Sequence, residues 1–185
     1  MSDSNNRVYS VDRAGSLDNR IRRWFQNPQK ILSPYIEQGT TVLDVGCGPG
    51  FFSIDMAHMV GKNGQVIACD IQEGMLQKVR DKINGTELEE RVKLHKCKED
   101  NIGITDHVDF ALLFYMVHEV PNKDRFFKEI GAILKPNGRV LIVEPPFHVS
   151  NEEFEETVNH ARNAGLLDTK GPKMLFHKTV ILKKG

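Results

Sequence analysis

Short apolar runs along this chain alternate with segments whose apolar residues recur every three or four positions. The runs predict β-strands and the longer period predicts helices that bury one face. Strands that alternate with amphipathic helices favour a parallel sheet covered on both faces. The predicted strands are Thr41–Val45, Gln65–Cys69, Val92–Lys96, Val108–Tyr115 and a fifth that ends at Glu144.

The predicted helices follow these strands. The residues that mark their apolar faces are Phe52, Ile54, Met56 and Met59 in a helix from Phe51, then Met75, Leu76, Val79 and Ile83, then Phe126, Phe127, Ile130, Ile133 and Leu134, and finally Phe154, Val158 and Ala161. Two segments near the end, 166–169 and 175–182, predict a closing antiparallel pair across Gly171-Pro172. The predicted fold class is therefore α/β: a Rossmann-like, doubly wound, seven-stranded sheet, mostly parallel with a C-terminal antiparallel hairpin.

Residues 1–38 precede the first strand and predict a helical segment that covers the active site. One helix is capped by Ser16 and reaches Phe25, and a second starts at Pro28 and ends at Gly39. Proline is tolerated at the first position of a helix. Residues 39–185 then form the core of a chain whose length suits a single domain.

The strongest indication of a ligand is the run 42–50, in which an apolar strand breaks into Gly46, Gly48 and Gly50. Glycines let a backbone approach a ligand closely, and the helix that follows turns its free N–H groups toward it. Asp70 ends the next strand, where an acid can accept both hydroxyls of a ribose. The sequence thus predicts a nucleoside-containing cofactor at the switch point between the first and fourth strands.

The spacing of the glycines argues against a dinucleotide. A dinucleotide fold needs a third glycine where this chain has Phe51, because the helix there packs closely beside a pyrophosphate. A bulky phenylalanine fits that position poorly. A nicotinamide-dependent dehydrogenase is therefore the weaker alternative.

The run from Asp44 through Gly50 resembles motif I of the class I S-adenosylmethionine-dependent methyltransferases. The stretch 66–70 is similar to that family's second strand with its ribose-binding acid, and 135–143 resembles its "LKPGG" turn and fifth strand. The resemblance covers nearly the whole chain. It is nearest to the type 11/25-like small-molecule group, which includes ubiquinone/menaquinone-type C-methyltransferases and metalloid methyltransferases.

The resemblance implies S-adenosylmethionine as cofactor and S-adenosylhomocysteine as product. It implies that Asp44 helps to hold the cofactor's amino acid moiety, through water or backbone, and that Ile71 lies beside the adenine. Many family members have an aspartate after the third strand for the adenine amino group, and no acid stands in that register here. The adenine contact then falls to Glu99 or to the backbone of Cys97 and Lys98. The residues that the resemblance assigns to the cofactor are Asp44, Gly46, Cys47, Gly48, Gly50, Asp70, Ile71, Cys97, Lys98 and Glu99.

Four residues at the predicted carboxyl edge are candidates for the methyl acceptor. His118 follows the fourth strand and suits a general base or an orienting group, since an imidazole titrates near neutrality; capping the next segment is the alternative. Tyr115 touches the cofactor or closes the core. Glu144 and His148 flank a rigid Pro-Pro turn that places them near the substrate or forms only a loop. The proline turn differs from the N/D-P-P-Y/F motif of nucleic-acid methyltransferases, which follows the fourth strand.

Two further clusters carry a functional and a structural interpretation. His118, Glu119, Glu144 and His148 could converge on a metal, but the aspartates of catechol-type methyltransferases are missing, so no metal is expected. Glu119 alone is expected to be a solvated loop acid. The cysteines lie at or near the ends of neighbouring strands (Cys47, Cys69 and Cys97). They could serve in thiol chemistry or only pack in the core, and packing is favoured.

The amino-acid composition limits the kinds of binding partner that this chain is expected to have. Lysine plus arginine equals aspartate plus glutamate at 25 each, so no global positive field favours nucleic acid. Arginines occur before the first strand at positions 7, 13, 20, 22 and 23. They could bind an anionic acceptor, contact a nucleic acid or only be solvated. A polar start without a leader, no long apolar run and an odd number of cysteines predict a cytoplasmic protein without a membrane span.

The expected function is methyl transfer to a small-molecule acceptor. A non-catalytic S-adenosylmethionine-binding module and a methyltransferase acting on RNA or protein are the alternatives. The sequence leaves monomer and homodimer open, and it does not identify the acceptor.

Overall fold

A computed structural model of the chain describes residues 26–185. The predicted helix between Ser16 and Phe25 and the arginines before Gln26 lie outside the described residues. Every element named below belongs to the described part.

The described residues form a seven-stranded sheet in the order β3-β2-β1-β4-β5-β7-β6. The first five strands run parallel, whereas β7 is antiparallel to both β5 and β6 and lies between them. This order confirms the predicted fold class and its inserted last strand. It also places the switch point between β1 and β4, so the carboxyl ends of these strands open toward a common crevice. The strands are β1 (Thr41–Val45), β2 (Gln65–Asp70), β3 (Val92–Lys96), β4 (Val108–Phe114), β5 (Leu134–Glu144), β6 (Leu166–Lys170) and β7 (Lys178–Lys184).

Helices cover both faces of the sheet, each over its own apolar core. One core joins α1, α2 and α3 to alternate residues of the central strands, and the other joins α4 and α5 to the remaining ones. Central strands are therefore buried on both faces, as parallel sheets require. The helices are α1 (Pro28–Leu32), α2 (Ser53–Val60), α3 (Glu73–Ile83), α4 (Lys123–Ile133) and α5 (Asn151–Asn163), with a 3₁₀ turn at Val117–Glu119.

The two helices nearest the start of the sheet differ from the predictions. The helix that starts at Pro28 ends at Leu32 and not at Gly39, because Pro34 has no N–H with which to continue it. The helix predicted from Phe51 begins at Ser53, because turns occupy the preceding residues, the first of them closed by the bond from Gly50 N–H to Cys47 O.

Five strand bounds also differ from the predictions, two of them because β6 and β7 end at Lys170 and Lys184, one and two residues later than predicted. The second strand is one residue longer and includes Asp70. The fourth strand ends at Phe114, one residue earlier than predicted, because Tyr115 adopts a left-handed φ of 60° that no strand continues. The last strand starts at Lys178 and not at position 175, because Phe176 has a φ of 63°.

No helix within residues 26–185 is both long enough and apolar enough to cross a bilayer.

Candidate functional site: the cofactor loop and the acceptor edge

The loop after β1 is held against the tip of β2 by its own backbone. The N–H groups of Gly46 and Cys47 both donate to the carbonyl of Cys69, at 2.9 and 3.0 Å. Gly46, Gly48 and Gly50 have φ values of 68°, 54° and 84°, a region that residues with a Cβ rarely adopt. The sequence therefore needs glycine at these positions to make this loop.

The three glycines serve different contacts. A Cβ on Gly46 would lie 3.0 Å from the side chain of Met116, and one on Gly50 would lie 3.1 Å from Val79 of α3. A Cβ on Gly48 would meet nothing within 4 Å. Gly46 and Gly50 thus permit close packing, whereas Gly48 borders open space.

Asp70 fixes the far side of this loop. Its side chain is only 6% exposed, and its two oxygens accept the N–H of Gly48 at 2.9 Å and the N–H of Gln72 at 2.8 Å. Burial raises the pKa of Asp70, and the backbone N–H donors act against that rise. A carboxylate has about four lone-pair sites, so two accepted bonds leave capacity for ribose hydroxyls.

Asp44 and Phe51 are buried residues at the two ends of the glycine loop. The Asp44 carboxylate is 2% exposed and accepts the hydroxyl of Ser53 at 2.5 Å, which ties β1 to the first residue of α2. This position suits the indirect contact, through water or backbone, that the family resemblance implies. Phe51 is buried in the core beside Phe52, so its ring occupies the space between helix and sheet that a third glycine would leave empty.

The residues predicted to contact the adenine, Ile71 and 97–99, are only partly available for such a contact. Ile71 is half-buried at the tip of β2. The N–H groups of Cys97 and Lys98 already donate to Asp70 O and Asn101 O, at 3.2 and 2.9 Å, while the side chain of Glu99 is exposed. A backbone contact to adenine at these positions therefore has to use their carbonyls, and these assignments stay predictions.

His118 and Glu144 form a directly bonded pair at the tips of β4 and β5. His118 Nδ1 lies 2.7 Å from Glu144 Oε2, and the His118 backbone N–H donates to Glu144 Oε1 at 3.0 Å. The Glu144 side chain is 1% exposed and that of His118 is 30% exposed. A buried carboxylate thus fixes both the backbone and the ring of a solvent-accessible histidine.

The pair defines the proton chemistry of the histidine. Because a carboxylate accepts hydrogen bonds, Nδ1 carries a proton and Nε2 of the neutral ring is a proton acceptor. The bond to Glu144 raises the pKa of His118, and partial burial opposes the rise. Such a histidine matches the geometry of a general base held by a carboxylate.

Tyr115 is joined to two residues that the sequence did not single out for the site. Its hydroxyl accepts the side-chain N–H of Gln26 at 2.7 Å, and its ring stacks on His177 at a centroid distance of 5.7 Å. Gln26 Nε2 also lies 3.3 Å from His177 Nε2. Tyr115 therefore joins three segments into one wall of the site: the chain before α1, the tip of β4 and the turn before β7. No local sequence signal pairs these three segments, since 151 positions separate Gln26 from His177.

The remaining candidates lie outside the His118–Glu144 pair. His148 is exposed on the turn after β5. Glu119 is half-buried where a solvated acid was expected, and burial raises its pKa. Residues 26–185 contain no group of three or more His, Cys, Asp or Glu side chains that could hold a metal ion.

The cysteine thiols are free and buried. Burial raises the pKa of Cys47, whereas a hydrogen bond with Cys69 lowers that of Cys97. Cys47 and Cys69 also provide backbone atoms that shape the cofactor loop, and their side chains belong to different apolar cores.

Comparison with known families decides the class of this site. A family model described as "Methyltransferase domain" matches residues 36–178, which include the glycine loop, Asp70 and the His118–Glu144 pair. The chain belongs to this methyltransferase family. The family confirms the resemblance drawn from Asp44 through Gly50.

Curated relatives and a solved structure agree with this membership. A demethylmenaquinone methyltransferase of Lactobacillus johnsonii is 34% identical over 59% of this chain and 45% of the relative. The ubiquinone/menaquinone biosynthesis C-methyltransferase UbiE of Haemophilus ducreyi is 30% identical over 59% of this chain and 42% of the relative. The chain thus spans less than half the length of these two relatives.

The crystal structure of an S-adenosylmethionine-dependent methyltransferase from Aquifex aeolicus superposes with a TM-score of 0.82. It is 26% identical, and the match covers 95% of this chain and 98% of that one. The family and this neighbour identify the cofactor as S-adenosylmethionine. Gly48, beside open space, and the buried acceptor Asp70 stay the predicted contacts to its nucleoside.

Gly48→Ala tests the cofactor loop. The left-handed conformation costs an alanine about 1–2 kcal/mol, and the new methyl group enters the open space above the loop. We expect the affinity for S-adenosylhomocysteine, measured by calorimetry, to fall about tenfold because roughly 1.4 kcal/mol of binding energy corresponds to that factor.

Gly85→Ala is the matched control. Gly85 has a φ of 69°, and a Cβ there would also meet nothing within 4 Å, but it lies in the turn after α3. The two variants should lose similar free energy of unfolding in urea, and only Gly48→Ala should lose affinity. Equal affinities in both would contradict a ligand above Gly48.

Proposed function

We propose that this chain is an S-adenosylmethionine-dependent methyltransferase that acts on a small-molecule acceptor, with His118 as general base and Glu144 as the group that positions it. The observation that carries the proposal is the His118–Glu144 pair, with its 2.7 Å bond at the carboxyl edge beside the cofactor loop. S-adenosylmethionine, when bound, supplies an activated methyl group. The residues of the chain then have to bind the acceptor, orient it toward the methyl group and remove its proton.

Each element of the edge has a part in this proposal. Asp70 and the loop at Gly48 hold the nucleoside, and Asp44 supports the loop through Ser53. Glu144 keeps the proton on His118 Nδ1, so that Nε2 can take a proton from an acceptor hydroxyl or amine. Alignment of donor and acceptor can supply about 7–11 kcal/mol, and a base adds roughly 10²–10⁴-fold.

The acceptor is proposed to be small. The balanced charge of the chain gives no general attraction for nucleic acid. Tyr115 and His148 remain candidates for acceptor contacts, and the arginines before Gln26 for an anionic group on it. The free thiols also suit a cytoplasmic protein.

Product analysis tests this function. The full chain is incubated with S-adenosylmethionine and a panel of small hydroxyaromatic, amine, thiol and quinol acceptors, including demethylmenaquinol analogues, and S-adenosylhomocysteine is measured by mass spectrometry. We expect release of S-adenosylhomocysteine that depends on one acceptor class. Tight binding of S-adenosylhomocysteine without turnover on any acceptor would instead favour a binding module, and turnover on RNA or protein alone would contradict a small acceptor.

A further inference from the structure

Three apolar side chains are exposed on the loops that leave β5 and enter β7 at the carboxyl edge of the sheet. Phe147, Leu175 and Phe176 are 90%, 75% and 72% exposed, and we call them the apolar rim. Phe147 follows the end of β5 by three residues, and Leu175 and Phe176 precede β7 by three and two. Because Glu144 at the end of β5 is paired with Lys178 at the start of β7, both loops extend past the same edge.

The turn between β6 and β7, which carries two residues of the apolar rim, is fixed to the fold. The N–H of His177 donates to Met174 O at 3.1 Å, and the hydroxyl of Thr179 donates to Pro172 O at 2.7 Å. Met174 also packs on the core, so the backbone of the turn is anchored while its apolar tips face water. Large apolar side chains that a fixed turn holds in water are typical of a surface that binds a partner.

The same turn is basic, although lysine plus arginine equals aspartate plus glutamate over the whole chain. Lys170 ends β6 and Lys173 lies inside the turn, and both are exposed. Neither lysine forms an ion pair or a side-chain hydrogen bond with another residue of the described range 26–185. No acidic residue follows Asp168 in the sequence. The turn therefore combines apolar tips with ammonium groups that no described carboxylate pairs with.

The acids nearest to Phe147 in sequence lie on the other loop of the apolar rim. Glu144 is buried in the pair with the proposed base. The carboxylate of Glu153 accepts the N–H of Ser150 at 2.7 Å in the capping box of α5, and Glu152 beside it is exposed. The positive charge is thus concentrated at the turn between β6 and β7.

We propose that the apolar rim docks on an anionic lipid surface, with Leu175 and Phe176 inserted below the headgroups and Lys170 and Lys173 beside the lipid phosphates. The apolar tips leave water there, while long lysine stems keep the ammonium groups at the polar boundary. Protruding tips suit a fluid surface that closes around them, whereas a folded partner needs a complementary hollow. The contact is one-sided and requires no spanning helix. It goes beyond the proposed function and does not rest on it.

Sedimentation of the full chain with sucrose-loaded vesicles measures this docking without turnover. Each lysine near an anionic surface strengthens binding about fivefold, and salt screens the effect. We therefore expect binding to phosphatidylcholine–phosphatidylglycerol vesicles, at least tenfold weaker binding to pure phosphatidylcholine vesicles, and release by salt. Equal binding to both kinds of vesicle, or binding to neither, would overturn the proposal.

The pair of changes Lys170→Gln and Lys173→Gln tests the charge of the turn. Loss of both ammonium groups should weaken binding to the mixed vesicles by about 10–30-fold. Lys62→Gln with Lys128→Gln is the matched control, because both lysines are exposed, one before β2 and the other on α4, and the net charge changes equally. The control should bind as the natural chain does. Equal losses in the two pairs would show a general attraction and contradict docking through the apolar rim.

The pair Leu175→Ser and Phe176→Asn tests the apolar tips. Phe176 has a φ of 63°, which asparagine tolerates, so the turn keeps its conformation. We expect at least tenfold weaker binding to the mixed vesicles, because two apolar side chains no longer leave water. Leu167→Ser should leave binding unchanged, since Leu167 is 62% exposed but pairs with Lys183 near the other end of β7. Unchanged binding of the double variant would contradict insertion of these residues.

A fluorophore at position 175 shows which surface covers the apolar rim. Leu175→Cys is labelled with an environment-sensitive dye, and the buried natural cysteines leave the introduced thiol as the reactive one. We expect the emission of an exposed dye in buffer and a shift to shorter wavelength on addition of the mixed vesicles, which the same dye on Leu167→Cys does not show. Short-wavelength emission already in dilute buffer would assign the rim to the chain itself, and emission that shifts with protein concentration would assign it to a second copy. Either result would overturn the proposal.

Discussion

Replacing His118 with glutamine is expected to lower turnover by about 10²–10⁴-fold, the usual contribution of a general base, while the affinity for S-adenosylhomocysteine stays unchanged. Glutamine is similar in length but has no group that takes a proton near neutral pH. The measurement is kcat with the acceptor that supports turnover, together with calorimetry for cofactor product. Unchanged kcat would show that His118 only caps the turn after β4.

Glu144→Gln separates positioning from proton transfer. The carboxylate raises the pKa of His118, so the amide should lower that pKa and move the acid limb of the kcat/KM profile to lower pH. The sign follows because the neutral imidazole is the base. Activity rises with pH through the pKa of His118, so it reaches its plateau at a lower pH when that pKa falls. Asp124→Asn is the matched control, since Asp124 Oδ1 lies 2.7 Å from Nδ1 of His160 on the surface. That variant should leave the profile unchanged.

The same bond makes a pH-dependent contribution to stability. The pKa of His118 is raised in the folded state, so the bond stabilises the fold fully below the unfolded pKa of about 6.5 and loses this contribution as pH rises through the folded pKa. Urea unfolding of the natural chain and of Glu144→Gln should therefore differ more at acidic than at alkaline pH.

Asp70→Asn is expected to reduce the affinity for S-adenosylhomocysteine by about 10–100-fold, because hydrogen bonds to a charged acceptor contribute roughly 1.5–3 kcal/mol. The amide also disturbs the loop, since Gly48 N–H and Gln72 N–H donate to different oxygens of Asp70 and the NH₂ group that replaces one of them cannot accept. Calorimetry with S-adenosylhomocysteine measures the loss.

The matched control for this change is Glu90→Gln. Glu90 is exposed just before β3, at the edge of the sheet opposite the ligand crevice, and its replacement also exchanges a carboxylate for an amide. Its affinity should equal that of the natural chain. If Asp70→Asn binds as tightly as Glu90→Gln does, Asp70 is not the ribose-binding acid.

Much of the fold could be predicted because its signals are local. The apolar runs that become β1, β3 and the end of β5 agree with the observed bounds. Two of the boundaries that were wrong depend on single residues, because Tyr115 and Phe176 adopt positive φ values that their side chains do not favour. The Gln26–Tyr115 bond and the stack on His177 provide tertiary contacts at one of the two positions.

The sequence by itself determined the family and the glycine-rich loop after β1, and it predicted Asp70 as the ribose-binding acid, because these features depend on local turn geometry and on where a strand ends. Only the tertiary structure paired His118 with Glu144 and gathered Gln26, Tyr115 and His177 into one wall. Those contacts join residues that lie 26, 89 and 151 positions apart. No periodicity or spacing encodes such distances, since the sheet order alone decides which strand tips become neighbours.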